Sequence, residues 1–180
     1  MTITRLDARR LMDRIEEFAD LLVDTVAGGA SVGFLDPLDP AEAAVWWKER
    51  AAAVAEGRLA VWAAYEGERL VGTVSLVFPD KPNSRHRAEL VKLMVHRDGR
   101  GRGHGRRLLD TAEQAAAAAG ITLLHLDTET DSPAERLYGA AGWTRLGAIP
   151  DYAADPGGEL RPTTIYYKRL ADPAKTPPTR

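Results

Sequence analysis

Between Arg97 and Arg107 the chain packs five arginines and four glycines into one short stretch, Arg97-Asp98-Gly99-Arg100-Gly101-Arg102-Gly103-His104-Gly105-Arg106-Arg107. A strand-like run ending Leu93-Met94-Val95 leads into it. A helical stripe of Leu108, Leu109, Ala112, Ala116 and Ala119 leaves it. The first N–H groups of a helix have no intrahelical partner and sit at the positive end of its dipole, so this junction is built to hold an anion. Glycines let the backbone approach a phosphate with no Cβ in the way. The amides of Arg102–Arg106 and the nearby arginines are the candidate donors. A P-loop is excluded, because no lysine occupies the turn. A dinucleotide fingerprint fails too: its last glycine would fall on His104 or Arg106.

Other chemistries are narrowed by what the chain contains. It has no cysteine, hence no thiol nucleophile, disulfide or thiolate zinc site. His96, His104 and His125 show no ligand spacing, and no metal is expected. The net charge of −2, and an arginine cluster without aromatic neighbours for base stacking, argue against nucleic acid. No run approaches the ~18–20 apolar residues of a membrane span. Met1–Asp7 offers no apolar stretch suited to a signal peptide, so a cytoplasmic location is expected.

Arg100-x-x-Gly103-x-Gly105 after Leu93-Met94-Val95 resembles the signature of the GNAT superfamily, the acyl-CoA-dependent N-acyltransferases. Asp131-x-x-Ala134-x-x-x-Tyr138 followed by Gly142-Trp143 is similar to that family's Asn-x-x-Ala-x-x-x-Tyr and closing Gly-Phe. The resemblance spans residues 59–168. Within the family, Ala88–His96, Leu124–Glu129 and Pro162–Lys168 look like the tabtoxin resistance acetyltransferase branch, associated with acetylating a small β-lactam amino-acid toxin.

The resemblance implies acetyl-CoA as co-substrate, held by Leu93, Met94, Val95, Arg100, Gly101, Arg102, Gly103, His104, Gly105 and Arg106. It also implies a free backbone N–H near Val95 for the acyl oxygen, and Tyr138 as the acid that serves the CoA sulfur. Asp131 departs from the family's asparagine: once ionised it accepts hydrogen bonds but donates none. An amine acceptor has a pKa of about 10 and arrives protonated, so a base is required. Asp127 is the favoured base, with Glu129 just beyond it and Glu89 as further carboxylates. His125 shares strand parity with Asp127, either as a satisfied imidazole or as a secondary base. Acceptor contacts are expected from Phe34 in the Gly33–Leu38 loop, Trp46 or Trp47, Glu89, Asp151 and Tyr152. The expected reaction is acetyl transfer to a primary amine of a small molecule, an amino-acid-like toxin or antibiotic among the options. A protein N-terminus or lysine as acceptor, and a non-catalytic acyl-CoA-binding module, are the alternatives. Dimers are frequent among family look-alikes.

These residues need elements to position them. The chain reads as one N-acetyltransferase domain over residues 1–170, with 171–180 a disordered tail. Leu11, Ile15, Phe18, Leu22 and Val26 mark one amphipathic helix from Asp7 to Val26. A second runs from Pro40 to Glu56 behind an Asp39 cap. Leu59–Tyr65 and Leu70–Phe78 form a hairpin; His86–His96 is a strand, then come the glycine turn and a helix to Ala119. Ile121–Asp127 is a buried strand, Pro133–Ala141 a helix, and 142–146 and 163–168 short strands separated by a loop over 147–162. With Thr2–Leu6 as a first strand, the order is β-α-α-β-β-β-α-β-α-β-β. That is an α/β (α+β) domain. By resemblance it is a GNAT-like, mostly antiparallel, mixed twisted sheet of about seven strands flanked by about four helices.

Overall fold

The computed structural model describes residues 1–171, so all but the first residue of the expected tail lies outside the described residues. Seven strands form one sheet: β1 (Thr2–Leu6), β2 (Leu59–Glu66), β3 (Arg69–Val77), β4 (Arg87–Val95), β5 (Leu123–Glu129), β6 (Thr144–Ala154) and β7 (Leu160–Arg169). Their spatial order is β1-β2-β3-β4-β5-β7-β6, antiparallel throughout except for β4 against β5. This is the mixed α/β architecture the element order implies.

Five α-helices cover the sheet: α1 (Ala8–Asp13), α2 (Ile15–Ala27), α3 (Pro40–Ala55), α4 (His104–Ala118) and α5 (Pro133–Ala140). The single helix expected over Asp7–Val26 is broken at Arg14, whose φ of −119° leaves the helical region. The apolar stripe runs straight across the break, because Leu11 and Ile15 are both buried in the same core. Asp39 caps α3 through the Ala41 amide, and Pro40 occupies its first turn.

Each face of the sheet has its own core. On one, Leu108, Leu109, Ala112 and Ala116 of α4 pack on Leu90, Leu124 and Leu126. On the other, Phe18 and Leu22 of α2 and Trp47 of α3 cover Val61, Ala63 and Met94.

The expected loop over 147–162 is corrected: β6 continues to Ala154 and β7 begins at Leu160. Its prolines concealed the strands. Pro150 lies inside the register shift between Ile149 and Ala153, and Pro162 falls opposite it. The ladder is already interrupted there, so a missing N–H costs no hydrogen bond.

Candidate active site

The sheet opens at its centre. β4 and β5 pair only through Arg87–Glu89 against Leu123–His125, after which the two strands share no further register pairs. On its other side β4 stays bound to β3, but with an irregularity. Thr73 faces Met94 and Ser75 faces Val91, so two steps on β3 match three on β4. The extra residue is a bulge, and Lys92 takes the left-handed φ of 54° within it. The bulge resets side-chain parity. Ala88 and Leu90 enter the α4 core before it; Leu93 and Val95 pack there after it, while Met94 joins the opposite core.

His96 N–H donates to Val71 O on β3 at 3.0 Å. Successive N–H groups of a strand alternate sides, so the Val95 N–H and C=O face the opening instead. The carbonyl is already taken, by Arg100 Nε at 3.2 Å. The Arg100 side chain therefore folds back over β4 and toward Gly28 at the end of α2.

The glycine turn behaves as its spacing requires. Gly101 and Gly103 have φ of 76° and 80°, a region other residues enter at a cost. A Cβ on Gly105 would stand 3.3 Å from Leu137, so its absence lets α4 lie close to α5. Arg107 is the first residue whose amide bonds back into the helix, to Gly103 O. Among the described residues nothing accepts from the amides of Gly101 to Arg106. These orphan donors, with open space above Gly101 and Gly103, fit the phosphates of a CoA ester. The side chains of the turn go elsewhere. His104 is buried and turned inward, its Nε2 2.8 Å from Glu66 on β2 and its Nδ1 without a partner. Arg102 also reaches Glu66, and Arg106 pairs with Asp110. Only the backbone of His104 is available to a ligand.

Tyr138 sits on α5, which Ser132 caps through the Glu135 amide. Its ring is 5% exposed, with Trp143 at 5.8 Å and Tyr166 at 6.3 Å. Burial, and secondarily the charge of Asp127, push its phenol well above the ordinary value, so it stays protonated. Asp131, ahead of this helix, has φ of 63°. Asparagine and aspartate both tolerate that conformation, a backbone reason for a short polar side chain here.

On β5, Leu124 and Leu126 point into the α4 core, so His125, Asp127 and Glu129 share the opposite face. Asp127 is exposed; Glu129 is half-buried, its pKa raised by burial and by Asp155. His125 Nε2 accepts from Arg87 at 2.7 Å, and burial foremost lowers its pKa; it is a satisfied neutral imidazole.

The acceptor-side residues divide. Of the tryptophan pair, Trp47 is core at 1% exposure, while Trp46 faces the opening with Phe34 at 5.6 Å. Lys92, half-buried, lies 5.0 Å from the Trp46 ring, within the electrostatic reach of Glu89 and Asp127. Arg50 covers the same ring at 3.8 Å. Asp151 and Tyr152 lie on another element. They sit exposed in the β6 bulge, two strands away from β5. Sequence reasoning assigned no role to Lys92 or Arg50. The only trace of Lys92 was a charge in the middle of a strand that is otherwise mostly apolar.

The sequence matches the model of the Acetyltransferase (GNAT) family over residues 30–143, more than half of the chain. The chain belongs to the GNAT acetyltransferase family. It is an acyltransferase. The fold is shared with solved structures of low sequence identity. A ribosomal-protein-alanine N-acetyltransferase from Brucella melitensis superposes with a TM-score of 0.76 at 20% identity, covering 94% of this chain and 100% of that one. The protein yncA of Salmonella typhimurium, solved with its cofactor acetyl-CoA, gives 0.75 at 20% identity and 99% of both chains. An N-acetyltransferase from Staphylococcus aureus Mu50 gives 0.76 at 15% identity, covering 95% and 100%. Among the described residues no helix is long and apolar enough to cross a membrane.

Proposed function

We propose that this acetyltransferase acts on a primary amine of a small molecule, by direct attack with donor and acceptor bound together. One observation carries the reading: the acceptor side of the opening is walled. The Val32 carbonyl accepts from Lys92 Nζ at 2.8 Å, and the Asp36 N–H donates to Pro156 O at 2.9 Å. The segment between α2 and α3 is thereby fastened to β4 and to the β6–β7 turn, with Phe34 and Trp46 behind it. A polypeptide acceptor needs a wide cleft on that side. The resemblance of Ala88–His96 and Leu124–Glu129 to the tabtoxin resistance branch supports the same class of acceptor, with detoxification or self-resistance as the role.

Acetyl-CoA, when bound, supplies an activated acyl thioester. The chain's own residues do the rest. The amides of Gly101 to Arg106 and the arginines around them hold phosphate; Leu93 and Met94 belong to the strand edge that positions the donor. The Val95 N–H, facing the opening, donates to the acyl oxygen, a kind of contact worth about 3 kcal/mol where it has been removed from other enzymes. Asp127, exposed and on the acceptor face, takes the amine proton, directly or through water. Glu129 is the second carboxylate on that face. Tyr138 holds its proton at Oη, ready for the departing thiolate.

Thiol release from acetyl-CoA tests this against a panel of polyamines, amino acids, amino-acid-like antimetabolites and short peptides. Release with the small amines is expected. Release with the peptides alone would reassign the acceptor to protein, as in the Brucella protein's name. No calorimetric acetyl-CoA uptake at millimolar ligand would overturn the reading altogether.

A further inference from the structure

The bulge in β4 does more than reset parity. Without it Lys92 would share the face of Ala88 and Leu90 and point into the α4 core. With it, the side chain crosses to the α3 side and lies against Trp46. A lysine in the left-handed region is a costly arrangement to keep for a surface charge. Once there, its Nζ uses one donor on Val32 O, and among the described residues no carboxylate lies within ion-pair distance. Arg50, on the next helical turn from Trp46, stacks on the same ring and donates to the Trp46 carbonyl at 2.9 Å. Its one ion pair is with Glu49, whose side chain is 66% exposed. Two cations thus share one indole with no buried anion between them. The strain of that arrangement is electrostatic: burial first, and Arg50 second, lower the Lys92 pKa. Asp127 and Glu89 act on it only from beyond contact.

We propose that Lys92 and Arg50, held on Trp46, form an anion subsite that takes a carboxylate of the acceptor, making the acceptor an amino-acid-like zwitterion. This rests on the reading that the chain acetylates small amines. A guanidinium fork and an ammonium with two remaining donors match a carboxylate in charge and geometry. Asp127 then lies on the same face for the amine, so one molecule's two charges meet two complementary subsites. Neither subsite has to neutralise the other.

The test compares amino acids with their methyl esters as acceptors. The wild-type enzyme should favour the free carboxylate by about 10–100-fold in kcat/KM, the range of one charged hydrogen-bonding contact, with the difference in KM. Lys92→Gln and Arg50→Gln should each bring that ratio down toward one, with folding checked by melting temperature. Arg50 lies on α3, away from the strained backbone of the bulge, so its variant remains informative if the bulge variant does not fold. A wild-type ratio near one, or a ratio kept by both variants, would overturn the subsite. Preference for phosphoethanolamine over every amino acid would overturn the carboxylate assignment. N-Acetyl-amino acids and their methyl esters, titrated by calorimetry, separate the two readings because they carry no reactive amine. Tighter binding of the free acid without any turnover would sink the activity and keep the subsite. Turnover of amines with equal binding of acid and ester would do the reverse.

Discussion

On the proposed mechanism, two side chains on opposite faces of the sheet divide the proton work, and their surroundings set which way each proton moves. Tyr138 is buried among Trp143 and Tyr166, so ionising it is penalised and the phenol remains a proton source. Tyr138→Phe keeps that packing and removes only the hydroxyl. Turnover should fall by about 10²–10⁴-fold, with acetyl-CoA affinity by calorimetry close to wild type. A matching loss of affinity would make the hydroxyl structural. The pKa shift also fixes a sign for stability. The unfolded phenol ionises near pH 10, while the folded one resists. Its contribution is complete below pH 10 and is lost as the pH climbs from there toward the folded value. Melting curves of wild type and Tyr138→Phe should therefore diverge in pH dependence only on the alkaline side. Asp127→Asn, on the exposed face, should also lower turnover strongly without touching acetyl-CoA affinity. Glu129→Gln should cost less, since that carboxylate is coupled to the charges of the Asp155–Arg161 pair.

At the scale of elements, the glycine turn was legible and the bulge in the strand before it was not. Gly101 and Gly103 follow from spacing alone, because a close phosphate approach and a left-handed turn demand the same residue. Gly103→Ala should destabilise the fold by about 1–2 kcal/mol in urea unfolding and weaken acetyl-CoA binding, since the strained residue caps α4. Unchanged affinity would mean the ligand does not rest on that helix start. The helix that carries Tyr138 was equally legible, opened by Ser132 and Pro133. Lys92 was not. Strict alternation places it with Ala88 and Leu90, and only the register against β3 shows the extra residue that moves it. The break at Arg14 was hidden for a related reason, because Leu11 and Ile15 keep the apolar stripe intact across it. Pro150 of β6 and Pro162 of β7 read as loop because nothing in their neighbours announces a bulge that excuses both.

The whole molecule is two half-sheets that part at the candidate active site. β1 to β4 form one, β5 to β7 the other, and only three register pairs join them directly. A second fastening lies behind the opening. Glu113 of α4 accepts from Trp143 Nε1 at 2.7 Å and from Lys168 Nζ at 2.6 Å, and Lys168 also reaches the Ala141 carbonyl at 2.9 Å. One carboxylate, 12% exposed, thus ties the helix of the glycine turn to the end of α5 and to β7. Glu113→Ala strands an indole N–H and an ammonium in a mostly buried place, at a cost of about 2–4 kcal/mol. For a chain of this length that corresponds to a melting temperature lower by roughly 5–15 °C. Glu113→Gln keeps an oxygen acceptor and should recover part of the loss, which separates the hydrogen bonds from simple packing. Because the tie spans the two halves, the alanine variant should also lose turnover at temperatures where it remains folded, by letting the half carrying Tyr138 and Asp127 drift from the half carrying Val95 and the glycine turn. Acetyl-CoA affinity, set by one half alone, should change less than turnover. A Glu113→Ala protein that melts and turns over like wild type would mean that the strand pairs and the shared α4 core hold the two halves together without this tie.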